Sequence, residues 1–213
     1  MKASIPVLTI WLLALLLAGC SSDEDNLVIG CIKSTACRVK AYPRVSDCVD
    51  GYHNLLVPAG AAPVYDAIYR CVVEAMDCTA VRACHGVGVS CDSAFKASCD
   101  GGKALLCDLI DKTTFTLDCA AHGLQCTIKS ASGLSFDAAC EGPATQGAAG
   151  AVDCGDGVCQ STTKPCTTGN DFDACDGERL EACLGNRWVS FDCAKLGLGP
   201  CQQSALWGNC GPI

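Results

Sequence analysis

Cys175-Asp-Gly-Glu-Arg-Leu-Glu-Ala-Cys183-Leu-Gly-Asn-Arg-Trp-Val-Ser-Phe-Asp-Cys193 contains two turn signals separated by alternating residues. Asp176-Gly177 and Gly185-Asn186 suit the positive φ angles of tight hairpin turns, and they divide the segment into three strands. The predicted strands are Phe172 to Cys175, Glu178 to Leu184, and Arg187 to Cys193. A two-residue turn at Gly185-Asn186 sets Cys183 opposite Trp188, Glu181 opposite Ser190 and Arg179 opposite Asp192. Because side chains alternate along a strand, Leu180, Ala182, Val189 and Phe191 then share one apolar face. The predicted unit is a small antiparallel β-meander.

The unit occurs twice. Cys91, Cys99, Cys107, Cys119, Cys126 and Cys140 are echoed by Cys166, Cys175, Cys183, Cys193, Cys201 and Cys210. Cys99-Asp100-Gly101 recurs as Cys175-Asp176-Gly177, Asp118-Cys119-Ala120 as Asp192-Cys193-Ala194, and Gly123-Leu124 as Gly197-Leu198. Phe115 and Leu117 take the places of Val189 and Phe191, and Lys103 with Asp118 repeats Arg179 with Asp192. Shared residues at fixed offsets point to duplication. Repeat 1 is assigned to 87–141 and repeat 2 to 154–213, joined by a Gly/Ala-rich linker at 142–153 too small in side chain to bury anything. Cys154 and Cys159 either bridge to each other or brace repeat 2.

Residues 31–86 have a helical period instead. Pro63 suits a first helical turn, and Tyr65, Ile68, Tyr69, Val72 and Met76 follow at three- and four-residue spacing, as core positions. Cys71 and Cys78 are expected together on the flank of that stripe. A second helix through Thr79 to Cys84 should stop at Gly86. Cys31 to Val39 and Ser46 to Leu56 are weaker helices, separated by Pro43 and closed by Pro58. Cys31, Cys37, Cys48, Cys71, Cys78 and Cys84 supply three bridges to this module in a pairing that sequence leaves open. The expected fold class is therefore α+β and disulfide-rich: a small N-terminal helical module followed by two duplicated antiparallel meander modules.

At the other end of the chain, Leu17-Ala18-Gly19-Cys20 closes an apolar run from Ala3 that is short for a membrane span. The tetrapeptide resembles the lipobox of bacterial lipoproteins. That resemblance implies a signal peptide at 1–19, removal of which leaves Cys20 as the first residue, carrying diacylglycerol and an acyl chain such as palmitate. Ser21 at the following position resembles the outer-membrane sorting pattern of a Gram-negative envelope. Residues 20–30, with Ser21-Ser22-Asp23-Glu24-Asp25-Asn26, are expected to be a flexible polar tether, spanning roughly 17 Å over about ten residues. Loss of residues 1–19 leaves fourteen basic residues against 23 acids, a net charge of −9. Such an acidic chain lacks the basic footprint for nucleic acid, so contact with the membrane is expected through lipid.

Setting Cys20 aside leaves 20 of the 21 cysteines, an even and dense set that reads as a disulfide framework in an exported chain. Structural zinc sites usually pair cysteines two to four residues apart, and no CxxC occurs. Asp171, Asp173, Asp176 and Glu178 crowd one turn, but Cys175 occupies the fifth place counted from Asp171, where a calcium loop needs oxygen, so no metal or other cofactor is expected. The three histidines, His53, His85 and His122, read as lone polar residues without a GxSxG or HExxH context, and no enzyme activity is expected.

The order of lipobox, helical cysteine module and repeats of the form CDGxxxxC…DCAxxGL…C resembles cysteine-rich lipoproteins of myxobacteria. That resemblance brings almost no function with it; the anchor, the stapled modules and the missing catalytic patterns lead instead to the expectation of a non-enzymatic, lipid-anchored envelope or cell-surface protein whose modules meet another envelope protein, a neighbouring surface or a glycan. Trp188 and Trp207 are the candidate ligand-facing residues for a carbohydrate-binding alternative, since an aromatic ring can stack on a sugar. The run from Cys183 to Leu198 resembles peritrophin-type chitin-binding domains, with a cysteine spacing that departs from theirs. The competing reading of Trp188 is a cover over the Cys183 bridge.

Overall fold

The structure is a computed structural model and describes residues 23–39, 44–108, 112–128, 138–143, 158–167 and 171–212. The expected signal peptide, lipobox, Cys20, Cys154 and most of the linker lie outside these residues. The architecture is α+β and disulfide-rich.

Four helices come first. Helix α1 spans Asp23–Ala36, α2 spans Val45–Gly51 and continues through a π-helical turn at Tyr52–Leu56, α3 spans Ala62–Glu74, and α4 spans Cys78–Cys84. The tether expectation is corrected here. Residues 23–30 are the first turns of α1, with Leu27, Val28 and Gly30 buried. Asp23, Glu24 and Asp25 suit a helix start because their charge opposes the N-terminal dipole, so the polarity that suggested coil instead marks a helix beginning. Pro63 lies in the first turn of α3, whose buried stripe is Val64, Tyr65, Ile68, Tyr69 and Val72. Met76 falls beyond the end of α3 and is 83% exposed, so it leaves the expected core.

Helices α1 and α3 approach closely where Gly30 faces Tyr69. At the far end Lys33, itself buried, donates from Nζ to the carbonyls of Val73 and Ala75 at 2.7 and 3.0 Å. It thereby satisfies acceptors that the end of α3 would otherwise leave open. Three disulfides close within the module. Cys31–Cys48 joins α1 to α2, Cys37–Cys78 joins the end of α1 to the start of α4, and Cys71–Cys84 joins α3 to α4. Cys71 and Cys78 thus bridge to different partners. Cys71 lies within α3, whereas Cys78 is the first residue of α4.

Repeat 1 contains strands β1 (Val87–Ser90), β2 (Ser98–Asp100), β3 (Lys103–Asp108) and β4 (Thr113–Asp118) in the order β1-β4-β3-β2, then a separate hairpin of β5 (Gln125–Ile128) and β6 (Ala138–Glu141). Repeat 2 has β7 (Cys159–Pro165), β8 (Ala174–Asp176), β9 (Arg179–Leu184) and β10 (Arg187–Asp192) in the order β7-β10-β9-β8, and a hairpin of β11 (Gly199–Gln203) and β12 (Gly208–Gly211). The predicted register holds, with Cys183, Glu181 and Arg179 opposite Trp188, Ser190 and Asp192. Gly185 and Asn186 both have positive φ, 56° and 64°, as a twisted two-residue turn requires. Each meander gains a fourth strand and a trailing hairpin that its polar, glycine-rich sequence did not announce.

The two copies share one disulfide connectivity. The first cysteine pairs with the third, the second with the fifth and the fourth with the sixth: Cys91–Cys107, Cys99–Cys126 and Cys119–Cys140, then Cys166–Cys183, Cys175–Cys201 and Cys193–Cys210. Cys159 is disulfide-bonded as well. Their inner faces also correspond, with a compensating exchange of volume. Ala104 and Leu106 oppose Leu117 and Phe115 in repeat 1, whereas Leu180 and Ala182 oppose Phe191 and Val189 in repeat 2, all buried.

One continuous apolar cluster runs through the helices and both repeats. Helix α4 packs on β1, while α1 packs on β12 and α2 on β9, so the helical module touches both copies. The end of repeat 1 also returns to the helices, where the Gly142 amide donates to the Ala59 carbonyl at 3.3 Å.

Candidate functional site: the outer face of repeat 2 and its seam with the helices

The face of repeat 2 opposite its core carries Trp188 on β10, directly across from Cys183 of the Cys166–Cys183 bridge. Strand β7 brings Lys164 alongside, its Nζ 5.6 Å from the Trp188 ring centroid in a cation–π contact. From β9, Arg179 donates through Nε to Ser190 Oγ at 2.8 Å and through Nη2 to the Ser190 carbonyl at 3.0 Å, with Asp192 Oδ2 3.7 Å from Nη1. Trp188 is half-buried within this polar setting. In repeat 1 the corresponding ion pair, Lys103 with Asp118, is 3.0 Å apart. The lysine and the Ala121 amide hold the Asp118 carboxyl below its ordinary range.

Trp207 belongs to a different place. It lies in the turn between β11 and β12, where Ser204 Oγ donates to the Trp207 carbonyl at 2.7 Å and accepts from its amide at 3.0 Å. That hairpin leans on β8, with the Gly208 amide donating to the Asp173 carbonyl at 2.7 Å. The hairpin packs on β9 as well, whereas Trp188 stands on β10. No ring contact joins the two among the described residues.

The four acids near the first turn of repeat 2 do not form a common set of ligands. Asp176 and Glu178 are exposed, and Asp171 accepts from the Thr167 amide at 2.6 Å. Asp173 points the other way. Fully buried, it accepts through Oδ2 from the Val45 and Ser46 amides at 2.7 and 3.3 Å, capping α2 from a distant part of the chain. Arg44, the residue before α2, is extended and supplies no side-chain cap of its own. Its guanidinium pairs with Asp47 and lies 5.0 Å over the ring of Phe172, so the seam is closed from both sides. Burial pushes the Asp173 carboxyl up to about 6, against the opposing pull of the two amides, the Ser46 side chain and Arg44.

Two of the three histidines are better partnered than sequence suggested. His85 is buried at the end of α4, with Nε2 2.8 Å from Ser34 Oγ and its ring edge-on to Tyr69. Ser34 is also buried, so this serine–histidine pair ties α1 to α4 rather than meeting a substrate at the surface. His53 Nε2 lies 3.1 Å from Glu24 Oε1. His122 helps to line a cavity of about 240 Å³ between α3, α4 and β4, whose wall is mainly Val64, Ala67, Ile68, Ala83 and Leu117. Nearby Tyr52 donates to Asp66, and burial pushes both groups upward.

Sequence reasoning missed the Ser34–His85 pair, the Lys33 contacts and the Asp173 cap. Each joins residues at least 40 positions apart. The one available signal was negative: Asp173 aligns with Ala97 of repeat 1, so it is not required by the meander itself. No helix among the described residues is long and apolar enough to cross a membrane. No family model, curated protein or solved structure matches the chain. The fold and this site thus define a small α+β scaffold with duplicated, disulfide-stapled sheets.

Proposed function

We propose that this chain is a non-enzymatic protein of a Gram-negative cell envelope, anchored in the outer membrane by lipid on Cys20. Its repeats serve as an interaction surface for another envelope protein or a neighbouring cell surface. The observation that carries this reading is the relation between the copies. Their disulfide connectivity and the burial of their inner faces are kept, as is the ion pair Lys103–Asp118 or Arg179–Asp192 on the opposite face, while two positions of that face change character: Thr114, buried in repeat 1, against the half-buried Trp188, and Leu105 against Glu181. A constant scaffold with altered outer residues suits display of different contacts. The dense oxidised framework agrees with an exported location. A glycan site on this chain would use Trp188, which stands beside Lys164, and Trp207 of the β11–β12 turn.

The anchor is tested by replacing Cys20 with serine and fractionating cells. The expected result is movement of the protein from the membrane to the soluble fraction, and retention in the membrane would overturn the lipid assignment. The surface is tested by placing a photo-crosslinking residue at Glu181, on the outer face, with Leu180 on the inner face as control. Adducts to an envelope component from Glu181 alone are expected. Equal behaviour of the two positions would remove the interaction reading.

A further inference from the structure

Asp173 joins two modules that no disulfide among the described residues connects. Its side chain is 0% exposed, and Oδ2 serves both the Val45 and Ser46 amides. Oδ1 has no hydrogen-bond partner, and neither does the buried Ser46 hydroxyl. The Ser46 side chain nevertheless lies close enough to act on the carboxyl. An ionised carboxyl in that position is costly, because burial strips its water and outweighs the help it has from the two amides, the Ser46 side chain and Arg44. A proton on Oδ1 would remove the charge, while Oδ2 continued to accept from both amides.

We propose that Asp173 makes the docking of repeat 2 on the helical module pH-responsive: its carboxyl takes a proton from solvent in mildly acidic surroundings and keeps it, which removes the buried charge and tightens the seam, whereas ionisation in neutral or alkaline surroundings loosens it. The charged groups facing this seam are few. On the helical side Arg44 favours the ionised form, but its guanidinium is held by Asp47 and also feels Asp50. On the repeat side, the charged residues of β9 are Arg179 and Glu181, of which Arg179 is engaged with Ser190 and Asp192 on the outer face. The β11–β12 hairpin contains no ionisable residue from Gly199 to Gly211 other than the bridged cysteines. Helix α1, which packs on β12, contributes Asp23, Glu24, Asp25 and Lys33, the last bonded to Val73 and Ala75. Repeat 1 has Ala97 where repeat 2 has Asp173, so only one copy contains the device.

The direction follows from proton binding. The carboxyl holds its proton to about 6 in the folded protein against 3.8 ordinarily, so the folded form binds more protons between those values. The stabilisation is complete below the ordinary value and is lost as pH rises through about 6. From this group alone, opening of the seam should be about tenfold rarer at pH 5 than at pH 7.5.

The test uses the intact chain in detergent micelles. The carboxyl carbon of Asp173 and the amide protons of Val45 and Ser46 are followed by NMR from pH 4 to pH 8. A shared midpoint near pH 6 is expected, and a carboxyl midpoint near pH 4 would overturn the proposal. Hydrogen-exchange protection of the same amides, corrected for intrinsic exchange, should fall about tenfold between pH 5 and pH 7.5 in the wild type. It should change far less in Asp173→Asn, whose amide imitates the protonated acid. Asp50 and Asp66 titrate in both proteins, so equal changes in the two would overturn the proposal. Should the variant not fold, the carboxyl midpoint of the unaltered chain still decides.

Discussion

Replacing Gly30 by alanine sets two effects of opposite sign against each other. Gly30 lies inside α1, where alanine is favoured by about 0.5–1 kcal/mol through helix propensity and loss of freedom in the unfolded chain. Its missing side chain, however, is where α3 approaches. A Cβ built there would lie 2.5 Å from Cδ1, 2.9 Å from Cβ and 3.0 Å from Cγ of Tyr69. Comfortable carbon–carbon contacts are about 3.5–4.0 Å, so the gap must open by about 1 Å. Tyr69 is only 1% exposed and cannot turn away, and two of its three close atoms are near its own backbone. The helices themselves must separate. Overpacking of this kind costs about 1–3 kcal/mol, which outweighs the propensity gain and leaves a net loss of about 1–2 kcal/mol. For a chain of this size the thermal midpoint should fall by about 2–8 °C. Calorimetry of the oxidised protein measures it, and a double-mutant cycle with Tyr69→Ala checks the cause. In that background the ring contacts vanish and Gly30→Ala should cost less. A higher midpoint for Gly30→Ala alone, or an undiminished cost beside Ala at 69, would refute the packing argument.

Other consequences are open to measurement. Pairwise replacement of Cys37 and Cys78 by serine releases a cross-link spanning 41 residues and should cost about 4 kcal/mol, against about 3 kcal/mol for Cys71 and Cys84, which span 13. Urea unfolding gives the order, and a larger loss at Cys71–Cys84 would mean that loop entropy does not set it. Lys33→Met should lower stability by about 1–3 kcal/mol, since the Val73 and Ala75 carbonyls lose a buried donor; chemical denaturation reads the change. Alkylation of the folded protein should label none of the nineteen cysteines found in disulfides, and prior reduction should expose them all.

The sheets were legible because their determinants are local. Gly185-Asn186 sets a register, the register sets the faces, and Leu180, Ala182, Val189 and Phe191 then have a side to bury. Pro63 and the stripe of Tyr65, Ile68, Tyr69 and Val72 were legible in α3 for the same reason, whereas Val64 was not picked out. The start of α1 was not, because Asp23-Glu24-Asp25 reads equally well as a solvated tether or a helix start, and only packing of Leu27 and Val28 decides. Strand β7 has little apolar alternation, and its pairing with β10 depends on a neighbour already in place. At the candidate site, Trp188 could be found from the difference between copies. The cap from Asp173 could not, since which distant amide a buried acid meets is fixed by how whole modules dock.

All nine of the described disulfides close inside the helical module or inside a single repeat. A tandem copying event that adds one repeat therefore adds its thiols in complete pairs and strands none for a neighbour to capture. Such a chain can lengthen or shorten by whole units without first solving a new oxidative folding problem. What each new unit must find for itself is a seat on its neighbours, and in repeat 2 a single side-chain difference, aspartate in place of alanine, contributes to that seat.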